Sequence, residues 1–431
     1  MEKYSIFWFR RDLRLQDNSG LYAALRNSLK VIPVFIFDSI IIGKLKKSDL
    51  RIQMIHSNLL EINTVVESYG SSIGMYKGYP KKIFKLLMSK YKINKVYTNR
   101  DYEPYAIKRD IEIRDFLKKN KISFETFKDQ VIFERNEIVK NDGNPYKIYT
   151  PYSRKWIEKL ENSKIIKFKS EKLLNNLAKI SQPKLSISEI GFNNTKNLTP
   201  KFKTNNELIK NYESTRNFPA LNGTTKAGPH LRFGTISIRE LVLKANKQVN
   251  KTFLKELIWR EFFMQILWHF PETIKQSFKS KYDKIKWLNN KNDFKKWCKG
   301  KTGYPLVDAG MRELNSTGFI HNRVRMLVAS FLCKHLLIDW RLGEAYFAEK
   351  LLDFEQSSNI GNWQWIAGCG VDSAPYFRIF NPSKQIEKFD KNFKYIKKWV
   401  PEFGTNKYPS KIVDHKIARE RCIKSYKSAI N

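Results

Sequence analysis

The apolar stretches YSIFWF, at residues 4–9, and VIPVFIF, at residues 31–37, decide the fold of the first part of the chain. Both are short and rich in β-branched and aromatic residues, as buried strands are. SIGMYKG (72–78) and KVYTNRD (95–101) repeat the pattern, and residues 50–69 and 105–119 carry apolar side chains at helical spacing. Strands that alternate with helices predict an α/β domain with a doubly wound parallel sheet.

The later part of the chain has a different pattern. Beyond residue 201 the strand pattern fades and helical patterns dominate, which predicts an all-helical domain. Residues 131–201 are rich in Lys, Ser and Asn with weak periodicity, which is typical of a long connector. We therefore expect an α/β domain over 1–130, a connector over 131–201 and a helical domain over 202–431.

Composition and charge limit the kind of protein. The chain has 431 residues, a formal net charge of +38, 42% hydrophobic residues and 14% aromatic residues. This chain is too apolar to be a disordered basic tail, so its positive charge lies on a folded surface that favours nucleic acid as partner.

Neither the cysteines nor the start of the chain indicates a metal site or a membrane. The four cysteines are far apart and no histidine completes a zinc pattern, so no metal is expected. Arg10 and Arg11 follow only a short apolar stretch, and no apolar run approaches about 20 residues. We expect a cytoplasmic protein with no membrane partner.

Tryptophan is concentrated in the helical part. Seven of the ten tryptophans lie between residues 259 and 365: Trp259, Trp268, Trp287, Trp297, Trp340, Trp363 and Trp365. A single tryptophan usually belongs to a core, whereas this density favours a pocket for a flat ring and a path for single electrons. Glu256 and Trp259 share one helical face, and Asn322, Arg325 and Met326 share another. Each face suits a pocket for a flat heterocycle, and a salt-bridged core helix would look the same.

Several long motifs carry a family resemblance. KELIWREFF (255–263), KTGYPLVDAGMRELNSTGFIHNRVRM (301–326), LLIDW (336–340), GNWQWIAG (361–368) and PYFRIFNP (375–382) resemble the flavin domain of the DNA photolyase and cryptochrome family. WFRRDLRLQDN (8–18) resembles the start of that family's antenna domain, and YPSKIVDHKIAR (408–419) its C-terminal end. The likeness covers essentially the whole chain and is closest to class I cyclobutane pyrimidine dimer photolyases.

The resemblance implies an FAD site. The residues that match the family's FAD contacts are Tyr212, Thr224, Thr225, Lys226, Ala227, Gly228, Arg325, Asp353, Phe354, Glu355 and Asn359. Among them, the resemblance implies that Arg325 pairs with Asp353. Asn359 matches the position that faces flavin N5, and an Asn there is typical of photolyases. The sequence departs from the family at Lys226 and Gly228, where Arg and Ser are usual, and at Glu355, where Asp is more common.

The resemblance also implies a catalytic and a substrate set. Trp363, Trp340 and Trp287 match the tryptophans that pass electrons from the surface to the flavin, and Glu256 matches the group that stabilises the dimer radical anion. The positions expected to contact the lesion or its strand are Arg216, Glu256, Trp259, Arg260, Asn322, Arg323, Met326, Trp365, Arg378 and Gln385.

The activity implied is light-driven repair of UV-damaged DNA. Reduced FAD, excited by blue light, would donate an electron to a flipped-out cyclobutane pyrimidine dimer, which then splits into two pyrimidines. The alternatives are a cryptochrome-like blue-light photoreceptor and a (6-4) photolyase. The resemblance implies His at the positions of Asn322 and Met326 in a (6-4) photolyase, and Asp or Cys at the position of Asn359 in a plant-type or animal-type cryptochrome. We expect the enzyme to be a monomer.

The resemblance leaves open whether a second, antenna chromophore is bound. Asp101 and Glu103, in DYEPY (101–105), resemble the deazaflavin-type members more than the folate-type ones. A loop that only closes the α/β domain, with no antenna bound, would carry the same residues.

Overall fold

The structure, a computed structural model, describes residues 2–28 and 30–430. Close contacts divide the chain into two compact units. One is drawn from residues up to 134, from 159–199 and from 227–244, and the other from 135–158, 200–226 and from 245 onward. The sequence predicted three parts, with boundaries at residues 130 and 201. That division stays a prediction.

A five-stranded parallel sheet forms the centre of the first unit. Its strands are β1 (Lys3–Phe9), β2 (Val31–Asp38), β3 (Gly74–Gly78), β4 (Lys92–Asn99) and β5 (Ser123–Phe127), in the order β3-β2-β1-β4-β5. Every residue of β2 is buried, as expected for a central strand covered on both faces. The doubly wound α/β fold predicted from the sequence is confirmed.

Outside the sheet, the regular structure of the described residues consists of helices. They are α1 (Ser19–Asn27), α2 (Ser39–Ile42), α3 (Leu50–Glu67), α4 (Pro80–Lys90), α5 (Pro104–Lys119), α6 (Tyr149–Glu161), α7 (Ile187–Ile190), α8 (Asn206–Lys210), α9 (Tyr212–Thr215), α10 (Ala227–Phe233), α11 (Ile238–Asn246), α12 (Thr252–His269), α13 (Lys291–Cys298), α14 (Pro305–Thr317), α15 (Asn322–Ser330), α16 (Trp340–Lys350), α17 (Gln356–Ala367), α18 (Pro382–Phe389), α19 (Lys394–Trp399) and α20 (His415–Ile430). Short 3₁₀ turns cover Ser170–Asn176, Pro271–Ile274 and Ser280–Lys284, and a π-helical turn covers Phe331–His335.

Local chemistry explains where several helices of the first unit begin. The side chains of Asn18, Asp38 and Asp49 accept backbone N–H groups at the starts of α1, α2 and α3. Pro80 and Pro104 occupy the first positions of α4 and α5, where no N–H is needed.

The motif at residues 8–18 builds a buried ion-pair cluster in the first unit. Arg14 Nη2 donates to both carboxylate oxygens of Asp129 at 2.8 Å. Arg239 reaches Asp129 at 2.9 Å and Asp17 at 3.0 Å. Because buried charges must be paired, these residues hold the motif in place against the rest of the unit.

The second unit is helical, as predicted. Helix α12 is its central element: every residue from Glu261 to Leu267 is buried, so this stretch of about two turns is covered on all sides. Gly361 lets α17 approach α12, because a Cβ there would lie 2.1 Å from the Phe263 ring. Over the part of the chain that the structure describes, no helix is long and apolar enough to span a bilayer.

Candidate active site

Helix α12 presents Glu256 and Trp259 on one face. Glu256 Oε1 accepts a hydrogen bond from Arg216 Nη1 at 2.6 Å. The two side chains are 32% and 21% exposed, so the pair is open to solvent. Burial alone would lower the pKa of the Arg216 guanidinium. The neighbouring Glu256 carboxylate outweighs this effect, so the pKa is raised overall.

Trp259 lies beside this ion pair and is itself partly exposed. The Tyr149 ring stacks on it with a centroid separation of 3.7 Å and an interplanar angle of 5°. Trp365, on α17, is also partly exposed. The two indoles expected to line the lesion pocket are thus both accessible, and Tyr149 is a contact that the sequence analysis missed.

The start of α15 carries a group of basic residues. Arg323 Nη2 donates to Asn217 Oδ1 at 2.6 Å, and its guanidinium carbon lies 4.5 Å from the centre of the Phe389 ring. Met326 Sδ lies 3.8 Å from Arg323 Nη1, and Asn322 is exposed. Burial and the positive charge of Arg216 lower the pKa of Arg323.

His321 caps this helix and stays neutral. Its side chain accepts the backbone N–H of Arg323 at 3.2 Å. Burial, together with the charges of Arg325 and Arg323, lowers the pKa of His321 to about 4. The imidazole therefore adds no charge among these arginines at neutral pH.

Arg325 and Asp353 form a pair as the resemblance implied. Arg325 Nη2 donates to Asp353 Oδ2 at 2.8 Å, and Arg325 Nε donates to the Ile320 carbonyl at 2.8 Å. Asp353 Oδ1 is buried and accepts no hydrogen bond from the described residues. A buried acceptor requires a donor, and a flavin ring N–H or a ribose hydroxyl is a donor of that kind. The residues here fit FAD.

Glu355 stands where the family more often has Asp, and the longer side chain is engaged. It is 5% exposed and receives Arg260 Nη2 at 2.9 Å and Ser358 Oγ at 3.1 Å. Phe354, next in the same segment, is partly buried. Arg260, expected near the substrate, is thus brought to the predicted cofactor segment.

The amide of Asn359 is oriented by a residue that the sequence analysis missed. Asn359 Nδ2 donates to Glu344 Oε1 at 2.7 Å and to the Glu344 carbonyl at 3.1 Å. Both amide hydrogens are therefore used, and the carbonyl oxygen is left for another partner. Burial raises the pKa of Glu344, while the hydrogen bond from Asn359 favours its ionised form.

The predicted phosphate loop is an irregular segment that leads into α10. Lys203 N donates to the Thr225 carbonyl at 3.1 Å, and Thr225 is buried while Thr224 is partly exposed. Lys226 has a φ of 54°, an uncommon conformation outside glycine. Ala227 and Gly228 begin α10. Tyr212, the first residue of α9, packs edge-on against Phe253 at 5.2 Å.

The three predicted electron-transfer tryptophans lie in the second unit with graded exposure. Trp363 and Trp340 are buried, at 3% and 1% exposed, and Trp287 is partly exposed. Gly343 allows α16 to approach the Trp363 ring, because a Cβ there would lie 2.2 Å away. The Trp363 ring also neighbours Trp297 at 6.3 Å.

The remaining predicted residues lie outside these clusters. Arg378 is exposed in the segment before α18, and Gln385 lies on α18, partly exposed. In the first unit, Arg11 pairs with Asp101 at 3.0 Å, and Arg232 pairs with Glu103 at 2.8 Å. Burial opposes ionisation of Asp101, but Arg11 and Arg232 outweigh it and lower its pKa. Among the described residues, no cluster of three or more His, Cys, Asp or Glu side chains is placed to hold a metal ion.

The chain is similar to known proteins over nearly its whole length. Residues 5–171 match the family model of DNA photolyase, and residues 253–407 match that of the FAD binding domain of DNA photolyase. A protein from Agrobacterium fabrum named deoxyribodipyrimidine photo-lyase is 36% identical, covering 98% of this chain and 97% of its own length.

Solved structures agree. The crystal structure of a bacterial class III photolyase from Agrobacterium tumefaciens has a TM-score of 0.89 and 33% identity, covering 100% of this chain and 98% of the other. An archaeal photolyase from Sulfolobus tokodaii with two FAD molecules has a TM-score of 0.81 and 34% identity, covering 99% and 100%. With sequence and fold in agreement over nearly its full length, this chain belongs to the DNA photolyase family.

Proposed function

We propose that this protein is a deoxyribodipyrimidine photo-lyase that repairs cyclobutane pyrimidine dimers in UV-damaged DNA with light. The observation that carries the proposal is the accessible pairing of Glu256 with Arg216 beside the partly exposed Trp259. A carboxylate, a guanidinium and an indole on one open face offer a hydrogen-bond acceptor, a phosphate contact and a stacking surface.

The aromatic surfaces offset the cost of extruding the lesion. A damaged pair is weakly stacked, so flipping it out of the duplex costs only a few kcal/mol. Stacking of each base on an aromatic side chain is worth about 1–3 kcal/mol. Trp259 and Trp365 provide such surfaces, and Arg323 with Arg216 provides positive charge for the DNA backbone.

Glu256 is the residue we assign to the reacting bases. Its carboxylate accepts from Arg216 with one oxygen and keeps acceptor capacity for a base N–H. By accepting a base N–H, the Glu256 carboxylate would hold the dimer in register for electron transfer.

The cofactor site is assigned to helix α17 and to the segment that precedes it. FAD, when bound in its reduced form, supplies the light-driven electron that splits the dimer. Asp353, held by Arg325, offers its free oxygen to a donor of the flavin, and Asn359 offers its amide oxygen. Glu355 lies between Asp353 and Asn359, and its bond to Arg260 holds this segment in place.

Tyr212 and the loop Thr224, Thr225, Lys226, Ala227 and Gly228 are assigned to the FAD phosphates. Trp363, Trp340 and Trp287 are assigned to electron supply during photoreduction, since their burial falls from Trp340 and Trp363 to the partly exposed Trp287.

The residue types favour dimer repair over the alternatives. Asn322 and Met326 occupy positions at which the sequence comparison expected His in a (6-4) photolyase. Asn359 occupies the position at which a cryptochrome was expected to carry Asp or Cys. The same proposal includes that the enzyme is a monomer and that it is cytoplasmic. It also includes that Arg378 and Gln385 contact DNA and that Asp101 and Glu103 belong to an antenna site.

Substitution of Glu256 tests the assignment. In Glu256→Ala, we expect the repair yield for a thymine dimer in a single-stranded oligonucleotide to fall about tenfold, because a hydrogen bond to a charged group is worth about 1.5–3 kcal/mol and this one is partly exposed. The bound FAD per protein should stay unchanged. Glu402→Ala is the matched control, since Glu402 pairs with Arg312 at the same 2.6 Å elsewhere in the unit. Equal repair yields in Glu256→Ala and the control would refute the role.

A further inference from the structure

One face of helix α6 packs along α12 through three aromatic side chains. Tyr149, Tyr152 and Trp156 are spaced i, i+3 and i+7, so they lie on the same side of α6. Tyr149 stacks on Trp259, Tyr152 lies 5.1 Å from Phe262, and Trp156 Nε1 donates to Glu261 Oε1 at 2.6 Å. The three side chains are 9%, 1% and 1% exposed, respectively.

Tyr149 is fixed at both ends. Its hydroxyl donates to the Lys255 carbonyl at 2.8 Å, and its backbone N–H donates to Asp372 Oδ2 at 3.0 Å. The edge of its ring also meets Phe262 at 5.9 Å. Burial, with the Glu256 carboxylate nearby, raises the pKa of the Tyr149 phenol, so the hydroxyl stays a donor. A side chain held in this way is a permanent part of the wall and does not swing out to admit a base.

The stack leaves Trp259 with one covered face. Its other ring contacts, Phe262 at 5.6 Å and Phe263 at 5.5 Å, come from the same helix and are edge-on or tilted. Among the ring contacts of the described residues, the Tyr149 ring alone is near-parallel to the indole and covers one of its faces. A partly exposed indole without this partner would sample several rotamers, at a cost in conformational entropy whenever a ligand fixes it.

We propose that Tyr149 is a positioning residue for lesion recognition: by covering one face of Trp259, it holds the indole in a single orientation with one face open to a flipped-out base. This inference rests on the proposed function, because it takes Trp259 as the surface on which the lesion stacks. Its effect is therefore on discrimination between damaged and intact DNA, and the electrostatic, sequence-independent part of binding is left to the basic residues.

Dark binding measurements on the FAD-loaded protein test this. Affinities would be compared for a single-stranded oligonucleotide with one cyclobutane thymine dimer and for the same oligonucleotide undamaged. Tyr149→Leu should lower the ratio of the two affinities roughly two- to tenfold, the range that corresponds to a stacked aromatic pair. Affinity for undamaged DNA and the bound FAD should not change. Tyr149→Phe keeps the ring and should restore the ratio to within about twofold of wild type.

Two further variants separate the possible failures. Tyr152→Leu makes the same chemical change one turn along α6, without touching Trp259, and should lower the melting temperature while keeping the affinity ratio. An equal loss in Tyr152→Leu and Tyr149→Leu would overturn the proposal, since general loosening of α6 would then explain both. If Trp259→Leu lowers the ratio and Tyr149→Leu does not, the proposed pocket stands and the positioning role is wrong. If Trp259→Leu has no effect, the pocket assignment itself fails, and the role of Tyr149 fails with it.

Discussion

Replacing Asp353 by Ala should weaken FAD binding by a predictable amount. The carboxylate makes one bond within the protein, to Arg325 Nη2 at 2.8 Å, and keeps one buried oxygen without a donor among the described residues. The bond to Arg325 exists with or without FAD, so only the second oxygen contributes to cofactor affinity. A hydrogen bond to a charged group is worth about 1.5–3 kcal/mol, which corresponds to a roughly 10- to 150-fold rise in the Kd for FAD.

The assay is titration of FAD-depleted protein with FAD, in which binding is measured by the quenching of flavin fluorescence. Glu402→Ala removes a carboxylate that pairs with Arg312 at 2.6 Å, with exposures of 28% and 20% for the two side chains, and serves as the control for loss of an ion pair. Circular dichroism would establish that both variants are folded. An unchanged Kd in folded Asp353→Ala would refute the reasoning that the free oxygen meets the flavin.

Three further predictions concern the same unit. Glu344→Leu should speed reoxidation of the reduced flavin in air several-fold, because Asn359 loses the side-chain acceptor that orients its amide. Glu344→Gln keeps an acceptor and should not change the rate. Equal reoxidation rates in Glu344→Leu and the unaltered protein would contradict the role. The folding stability of the protein should rise between pH 4 and 6.5, because unfolded His321, with an ordinary pKa of 6.5, binds a proton that the folded residue, at about 4, does not. His321→Asn keeps a capping side chain and should flatten the curve of melting temperature against pH, and parallel curves would exclude the effect. Trp340→Phe should slow photoreduction but keep repair by chemically reduced enzyme, and loss of that repair would disprove the assignment.

Periodicity in the sequence predicted the strands whose residues are buried on both faces. The apolar stretches at β1 and β2 were identified because a central parallel strand needs an almost continuous apolar run. Strand β5 (SFETF) was missed because none of its five residues is buried, whereas β3, also five residues long and at an edge, begins with three buried residues. A strand of this kind lacks the continuous apolar run that identifies a buried strand in the sequence.

The connector was only partly understood from the sequence. Residues 131–201 were read as weakly periodic, but they contain α6, whose Tyr149, Tyr152 and Trp156 form an apolar face among lysines and a proline. The helix was overlooked because the Lys-, Ser- and Asn-rich composition of the whole segment was given more weight than the spacing of these three side chains. Their spacing was the one signal that would have revealed the helix.

Pairing across the site shows what a motif can and cannot reveal. The resemblance placed Arg325 beside Asp353, and the structure joins them at 2.8 Å. Glu344 and Tyr149 belong to no motif used in the prediction, because each acts through a contact with a residue on another element, Asn359 and Trp259. The subclass stays a prediction: the sequence favoured class I, and one matched structure is described as class III.

Light dependence tests the central claim most directly. Reduced, FAD-loaded protein would be mixed with a single-stranded oligonucleotide that contains one cyclobutane thymine dimer, and recovery of intact thymines would be measured under blue light and in the dark. We predict many dimers converted per protein in the light and none in the dark. No conversion in the light, with FAD bound and reduced, would contradict the account, and conversion of the (6-4) product instead would reassign the substrate.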